Sequence, residues 1–222
     1  MPQFGNRPES EPGYCALIGD VVESRRIDGR AEFQNRLQDL IGLLNQEQES
    51  ALASPLELSS GDEIQGLFLQ PQAVVPVAIR LAEDLYPIRI AYGLGYGGVT
   101  TEILAHTYQI DGPCFHKARS ALGRTRSEAL WLTARGFGDP SDRLISALFQ
   151  LMHAIRARWT STQIDYIRRA RHMLQKEVAE ELGKSPSAVS ESLQAAAFEA
   201  VHQGERALKD LLALFGHSTL SG

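Results

Sequence analysis

The feature that most constrains the fold is a short stretch, residues 56–69, in which two apolar runs flank a polar turn. The stretch is LELSSGDEIQGLFL, and it predicts two strands joined by a tight hairpin at residues 59–62. Another apolar run, residues 14–22, contains a similar Gly-Asp pair that ends at Asp20. We therefore expect Asp20 and Asp62 to converge at one edge of a sheet, where paired carboxylates commonly hold Mg²⁺ against phosphates.

Size and composition indicate an ordinary globular protein. The 222 residues suffice for one large domain, or for a medium domain and a small one. The longest apolar runs are too short to span a membrane, and residues 1–13 are polar and rich in Pro and Gly, which is typical of a flexible leader rather than a signal peptide. Cys15 and Cys114 form no CxxC motif. We expect free thiols in a cytoplasmic protein without a membrane partner.

The net charge of −5 is unevenly distributed along the chain. Residues 151–222 carry nine Lys and Arg against eight Asp and Glu, whereas residues 1–150 carry 13 against 19. The C-terminal part is therefore the one with an electrostatic basis for binding nucleic acid.

The order of predicted elements is β-α-β-β-α-β-β-α-β. Helical spacing covers residues 30–50, 72–85 and the segment after Gly112, and further strands are predicted at 88–92, 99–104 and 129–133. Hairpins mixed with crossover helices favour an α+β fold with a mixed or antiparallel sheet and helices on one face. The glycine-rich segment 93–98 is interpreted as a hairpin turn, and the alternative is a close approach of its backbone to a phosphate or base.

Several segments together resemble the SatD family: ALIGDVVESR, the Leu44-Asn45 pair, SSGDEIQGLF, IRIAYGLGYGGVTTE and DGPCFHKARSAL. More distantly, residues 14–133 resemble the catalytic domain of class III nucleotide cyclases and the palm domain of nucleotidyl transferases. The resemblance implies a cyclase/palm-like domain with a ferredoxin-like core. It also implies a metal site for Mg²⁺ or Mn²⁺ at Asp20 and Asp62, since the matching aspartates of cyclases bind two metal ions.

The sequence departs from the cyclase pattern at three positions. His116 stands where cyclases have a catalytic Asn, Ser120 stands where they have an Arg, and Leu58 occupies the position that selects the purine. The recognition of purines in that family therefore does not carry over. The candidate nucleotide-binding residues are Arg25, Gly61, Glu63, Gly95, His116, Lys117 and Arg119, although each charged residue among them, taken alone, is also typical of a solvated surface.

A helix-turn-helix pattern is present in residues 175–190. Ala179 is small where the two helices would cross, Gly183 supplies the turn, and Pro186 lies in the first turn of the second helix. With the preceding helix 161–171, the pattern resembles the tri-helical domain of bacterial regulators and sigma-like factors, which favours DNA binding; the alternative is a purely architectural tri-helix. Phosphate contacts are expected from basic residues and base contacts from polar ones; the predicted DNA-binding residues are Arg168, Arg169, Arg171, Lys184, Ser185, Ser187, Ser190, Glu191 and Gln194.

Apolar residues continue at helical spacing beyond Leu193, with Gly204 as an interruption. Such a stripe must be buried, either against the same chain or against a second copy, and we favour a homodimer. The predicted organisation is a leader (1–13), a SatD domain (14–138), a connector helix (139–160) and a helix-turn-helix domain with its tail helix (161–222).

Three functions follow from this organisation. The first is a DNA-binding, ligand-responsive transcriptional regulator whose palm-like domain binds a nucleotide with a divalent metal. The second is an active nucleotide cyclase or nucleotidyl transferase that uses Asp20 and Asp62. The third is a palm-like domain without a ligand that serves as a dimerisation platform. The absence of the Asn/Arg pair favours sensing over turnover, and the sequence leaves enzymatic activity open.

Overall fold

The structure is a computed structural model that describes residues 13–59 and 62–216. The described residues form a five-stranded sheet in the order β2-β3-β1-β4-β5, in which only the β4–β5 pair is parallel. The sheet is mixed, as the alternation of hairpins and helices predicts. Its strands are β1 (Tyr14–Val21), β2 (Leu52–Ser59), β3 (Glu63–Phe68), β4 (Ile90–Gly97) and β5 (Leu132–Arg135).

Helices cover both faces of the sheet, so the expectation of helices on one face is wrong. Alternate residues of β1 explain the arrangement, because Cys15 and Leu17 pack in the apolar cluster of α1 (Arg30–Glu47) and α2 (Val74–Asp84). Ala16 and Ile18 pack on the opposite face with α3 (Pro113–Ser127). Because β1 is buried on both faces, it shows a continuous apolar run instead of an alternating one.

The glycine-rich segment is part of β4 and not a turn. Its glycines allow α3 to lie directly on the strand, since a β-carbon at Gly95 would be 2.0 Å from the carbonyl oxygen of Cys114. A β-carbon at Gly93 would lie 2.1 Å from the carbonyl oxygen of Ala118. Residues 99–104, predicted as a strand, are irregular and lead into a loop that reaches the edge strand β2, where the buried Thr107 hydroxyl donates to the carbonyl of Pro55.

Asn45, near the end of α1, fixes the position of β2. Its side-chain amide donates to the carbonyl of Leu56 at 2.9 Å, and its side-chain oxygen accepts from the Leu56 N–H at 2.8 Å. The two bonds satisfy one residue of the edge strand as a neighbouring strand would. These bonds hold β2, the strand that precedes Asp62, against α1.

Five further helices follow the sheet; the first packs on β5, and the others pack on α2 or on one another. They are α4 (Ser141–Arg156), α5 (Ser161–Ala170), α6 (Gln175–Leu182), α7 (Pro186–Ala195) and α8 (Phe198–Ala213). The predicted continuous tail helix is interrupted at Ala197, whose φ of 49° separates α7 from α8. Gly204 lies inside α8 instead of breaking it, and a β-carbon there would lie 3.1 Å from the sulfur of Met152 in α4.

The apolar stripe of α8 is buried within the same chain. Val201, Leu208 and Leu212 are fully buried in the cluster that also contains residues of the sheet. The homodimer was predicted because this stripe needed a surface to pack against. The same chain provides that surface, so the homodimer stays a prediction that the stripe no longer supports.

Within the described residues, one apolar cluster extends from β1 to α8, and no separate helix-turn-helix domain is visible. A buried ionic cluster reinforces the connection. Glu83 of α2 accepts hydrogen bonds from Arg156 of α4 and from Arg171 after α5, and Arg171 also binds Glu205 of α8. The sequence predicted a connector between two domains at residues 139–160. In the structure, buried residues before and after this segment belong to the same apolar cluster.

Candidate functional site

The two aspartates of the Gly-Asp pairs line one cleft of about 600 Å³ at the edge of the sheet. Asp20 lies near the end of β1, in register with Glu63 of β3, and Asp62 immediately precedes β3. The N–H of Val21 donates to the backbone carbonyl of Asp62 at 3.4 Å, which holds the hairpin beside β1. We call this space the carboxylate cleft; its walls also include Ser24, Arg25, Arg26, Arg89, Thr125 and Arg126.

The surroundings of Asp20 disfavour the ionised form of its carboxyl. Burial raises the pKa of its carboxyl above the ordinary value, and the charges of Asp62 and Glu63 raise it further. Arg126 of α3 opposes this effect, with its guanidinium 3.4 Å from Asp20 Oδ2. A crowded set of carboxylates with a raised pKa is typical of sites that bind a cation or exchange a proton.

Asp62 is oriented by a residue that the sequence did not single out. The hydroxyl of Ser24 donates to Asp62 Oδ2, so the side chain is held from the segment that follows β1. Ser24 opens a short 3₁₀ turn after Glu23, whose φ of 56° reverses the chain. Ser24 and Asp62 are 38 positions apart, so the sequence does not reveal their contact. The position of Ser24 close to Asp20 in the sequence was the one feature that pointed to it.

Four arginines give the carboxylate cleft a cationic side. Arg26 binds Glu23 at 3.1 Å and Arg126 faces Asp20. Among the described residues, no carboxylate lies within ion-pairing distance of Arg25 or Arg89. Arg25 was a predicted ligand-binding residue. Arg89 and Arg126 were missed because they come from distant segments whose approach depends on the tertiary fold.

Three predicted nucleotide-binding residues line a second cleft of about 430 Å³ on the α3 side of the sheet. Glu63 accepts a hydrogen bond from the Gln65 amide and lies 3.7 Å from the guanidinium of Arg119. His116 also lines this cleft, 3.2 Å from Asp111. The predicted set is thus divided, with Arg25 beside the two aspartates and His116 and Arg119 beyond Glu63.

The other predicted nucleotide-binding residues lie elsewhere. Lys117 donates to the carbonyl of Tyr96 at 2.9 Å and packs against Gly136, away from both clefts. Gly95 is covered by α3, so its backbone approaches a helix instead of a ligand, and this interpretation is corrected. Gly61 and most of the predicted leader lie outside the described residues.

The donor set of the carboxylate cleft suits a metal that is shared with a phosphate. In the described part of the chain, no group of three or more His, Cys, Asp or Glu side chains is arranged to hold a metal ion. Mg²⁺ is commonly bound by one or two carboxylates together with waters and phosphate oxygens, and Asp20 and Asp62 match that requirement. Their role as metal ligands stays a prediction.

The profile of the SatD family matches residues 14–212, which include the sheet and, except for Ala213, all of the helices that follow it. The chain belongs to the SatD family. No curated protein sequence matches it. Among solved structures, two of light-regulated bacterial adenylyl cyclases share 14% identity over 55% of this chain, with TM-scores of 0.40, and the match covers 75% and 43% of those chains.

A third similar structure is the catalytic core of a rhodopsin-guanylyl cyclase with converted specificity in complex with ATPαS. It is 16% identical over 50% of this SatD-family chain and 72% of its own, with a TM-score of 0.34. Likeness at this level carries no conclusion about the function of this SatD-family chain. No helix in the described part of the chain is long and apolar enough to cross a membrane.

The arginines predicted to contact DNA phosphates are engaged in ion pairs within this SatD-family chain. Arg168 binds Asp84 at 2.8 Å, and Arg169 binds Asp165 and Glu181. Arg171 is 12% exposed and bound to two carboxylates, so its predicted phosphate contact is corrected. Of the remaining predicted residues, Ser185 caps α7 through the N–H of Ala188, Ser190 is half-buried, and the exposed ones are Lys184, Ser187, Glu191 and Gln194.

Proposed function

We propose that the carboxylate cleft binds a nucleotide through a divalent cation, with Asp20 and Asp62 as the protein ligands of the metal. The supporting observation is that two carboxylates and four arginines line the same cleft. Carboxylates bind the cation, and guanidinium groups bind phosphate oxygens, often through two hydrogen bonds. The volume of about 600 Å³ suits a ligand of nucleotide size.

The contacts indicate what each side chain would contribute. Ser24 occupies one oxygen of Asp62 and thereby orients the carboxylate. A cation bound to Asp20 would compensate its unfavourable charge and compete with Arg126 for the same carboxylate, leaving that guanidinium available for a phosphate. When bound, the cation would neutralise the phosphates and polarise them for attack.

The reaction class that fits these groups is nucleotidyl transfer, including cyclisation of a nucleoside triphosphate. The alternative is a nucleotide sensor that uses the same contacts without turnover. Release of pyrophosphate from a triphosphate distinguishes them, since a sensor binds the nucleotide and releases none.

Thermal unfolding tests the proposal most directly. We expect ATP or GTP together with Mg²⁺ or Mn²⁺ to raise the melting temperature more than nucleotide or metal alone. Ligand at a hundredfold its Kd adds about 2.7 kcal/mol of stability. Asp62→Asn should abolish the joint effect, whereas Asp39→Asn, on the exposed face of α1, should retain it. A nucleotide shift that persists in EDTA, or an unchanged shift in Asp62→Asn, would contradict metal-mediated binding.

DNA binding is a second candidate with one observation in its favour. A turn at Gly183, with φ 61°, joins α6 to α7, and α7 exposes Ser187 and Gln194. Arg168, Arg169 and Arg171 form ion pairs within the chain, whereas Lys184 is exposed and forms none with the described residues. A binding assay on double-stranded DNA at low salt decides the question, because electrostatic attraction is strongest there and its absence would exclude this candidate.

A further inference from the structure

A third cleft, of about 270 Å³, lies between the end of the sheet and helices α4 and α5. Its rim is formed by the segment before β4, where Tyr86 is 41% exposed, and by Ala157 directly after α4. Trp131 and Trp159 lie in its floor, and we call it the tryptophan cleft. Its walls also include Pro87, Arg89, His153, Arg156 and the carboxylate of Glu83.

The floor is rigid and largely aromatic. The guanidinium carbon of Arg156 lies 5.0 Å from the ring centre of Trp131 and 4.7 Å from that of Trp159. The indole N–H of Trp159 donates to the carbonyl of Ala196 at 2.7 Å, and Phe149 packs edge-on against Trp131. The two indoles are 4% and 6% exposed, so they define the shape of the floor and offer a ligand little of their own ring surface.

The charge of the tryptophan cleft favours a monoanion. Arg156 is neutralised by Glu83, within a cluster that contains two carboxylates and two guanidinium groups. Arg89 at the rim has no carboxylate within ion-pairing distance among the described residues, which leaves one unbalanced positive charge.

His153 adds a neutral hydrogen-bonding group beside Arg89. Burial lowers the pKa of its imidazole, and the charges of Arg89 and Arg156 lower it further. The ring is therefore uncharged near neutral pH and can donate one hydrogen bond.

We infer that the tryptophan cleft is a second ligand site, which takes a small monocarboxylate with its carboxylate directed to Arg89 and His153. The volume admits one or two fused rings, and it is too small for a nucleoside with its phosphates. The tryptophan cleft shares Arg89 and Leu130 with the carboxylate cleft, whereas its two tryptophans, His153 and Ala157 line it alone. A response that is lost in a variant at Ala157 therefore tests this site independently of the nucleotide proposal.

Intrinsic fluorescence provides a specific measurement, since Trp131 and Trp159 are the two tryptophans of the chain. The full chain is titrated with benzoate and nicotinate, and with benzamide and nicotinamide as uncharged counterparts of the same shape. We expect the acids to change the emission saturably and the amides to bind at least about tenfold more weakly, because the amides lack the charge that pairs with Arg89. No saturable change with either acid, or equal affinities of acids and amides, would overturn the inference.

Two variants locate the binding. Ala157→Leu fills the rim and should abolish the response, whereas Ala147→Leu, exposed near the middle of α4 and outside the cleft, should leave it unchanged. Arg89→Gln should reduce the affinity for the acids to that for the amides. Retention of acid binding in Ala157→Leu would place the ligand elsewhere and overturn the inference.

Discussion

Asp20 stands near the end of β1 with its side chain 20% exposed, in register with Glu63 and in the same cleft as Asp62. Burial and the two neighbouring charges raise the pKa of its carboxyl, so the folded protein binds this proton more tightly than the unfolded chain does. The stability gained from the protonated form is complete below the ordinary aspartate pKa and is lost as the pH rises through the higher folded value. At neutral pH the ionised carboxylate therefore lowers the free energy of unfolding.

Asp20→Asn should stabilise the protein without ligand while removing the response to a divalent cation. We expect a gain on the order of 0.5 kcal/mol at pH 7, or about 1–2 °C in melting temperature. The gain should shrink as the pH falls through the raised folded pKa of Asp20 and vanish below the ordinary aspartate pKa, because Asp20 is then protonated in both states. Thermal unfolding between pH 3 and 8 measures it, with Asp39→Asn as an exposed control. Destabilisation at pH 7 would show that the ion pair with Arg126 outweighs the repulsion.

Single residues also show how far the sequence leads to the site. Asp20 and Asp62 could be located because each follows a glycine at the end of an apolar run, and strand ends meet at one edge of a sheet. Ser24, Arg89 and Arg126 could not be located, because their contacts depend on the tertiary packing of segments that are distant in the chain. The sequence therefore indicates the acidic half of the carboxylate cleft and not its cationic half.

At the scale of elements, the most instructive difference concerns β4. Glycines are typical of turns, and the sequence does not reveal that a helix will later lie on the same strand. Gly93 and Gly95 bring the backbone of α3 onto β4, and α3 carries Arg119 and Arg126 to the two clefts. Periodicity predicted α1, α2 and α3, but it predicted a turn at 93–98 and a strand at 99–104, and it did not predict this close packing.

Gly95→Ala should destabilise the protein strongly. The added methyl group would lie 2.0 Å from the Cys114 carbonyl oxygen and 2.3 Å from the Ala118 nitrogen, and backbone atoms cannot move aside as side chains do. We expect a loss of about 3 kcal/mol or more in denaturant unfolding, at or above the upper end of ordinary overpacking. Gly98→Ala is the matched control, since no atom of the described residues, apart from its two chain neighbours, lies within 4 Å of the added carbon. Equal stability of the two variants would contradict the close packing of α3 on β4.

At the scale of the whole molecule, the helices after β5 belong to the same core as the sheet. The helical spacing of residues 141–215 predicted these elements, but helical spacing does not specify which surface a helix packs against. The sequence predicted that Arg168, Arg169 and Arg171 contact nucleic acid. In the fold, Arg156 and Arg171 bind the buried Glu83, whose pKa is lowered because their hydrogen bonds and charges outweigh the effect of burial.

Glu83→Gln should destabilise the entire molecule in one step. The substitution preserves the size of the side chain but removes the charge that Arg156 and Arg171 share, and breaking a buried ion pair costs about 3–5 kcal/mol. Glu180→Gln is the control, because its pair with Lys176 spans 3.8 Å between exposed side chains and should contribute less than about 1 kcal/mol. Denaturant unfolding is followed by tryptophan fluorescence and by circular dichroism. Coincident transitions shifted together are expected of a single core, whereas a shift confined to an early, partial transition would show that the C-terminal helices unfold as a separate domain.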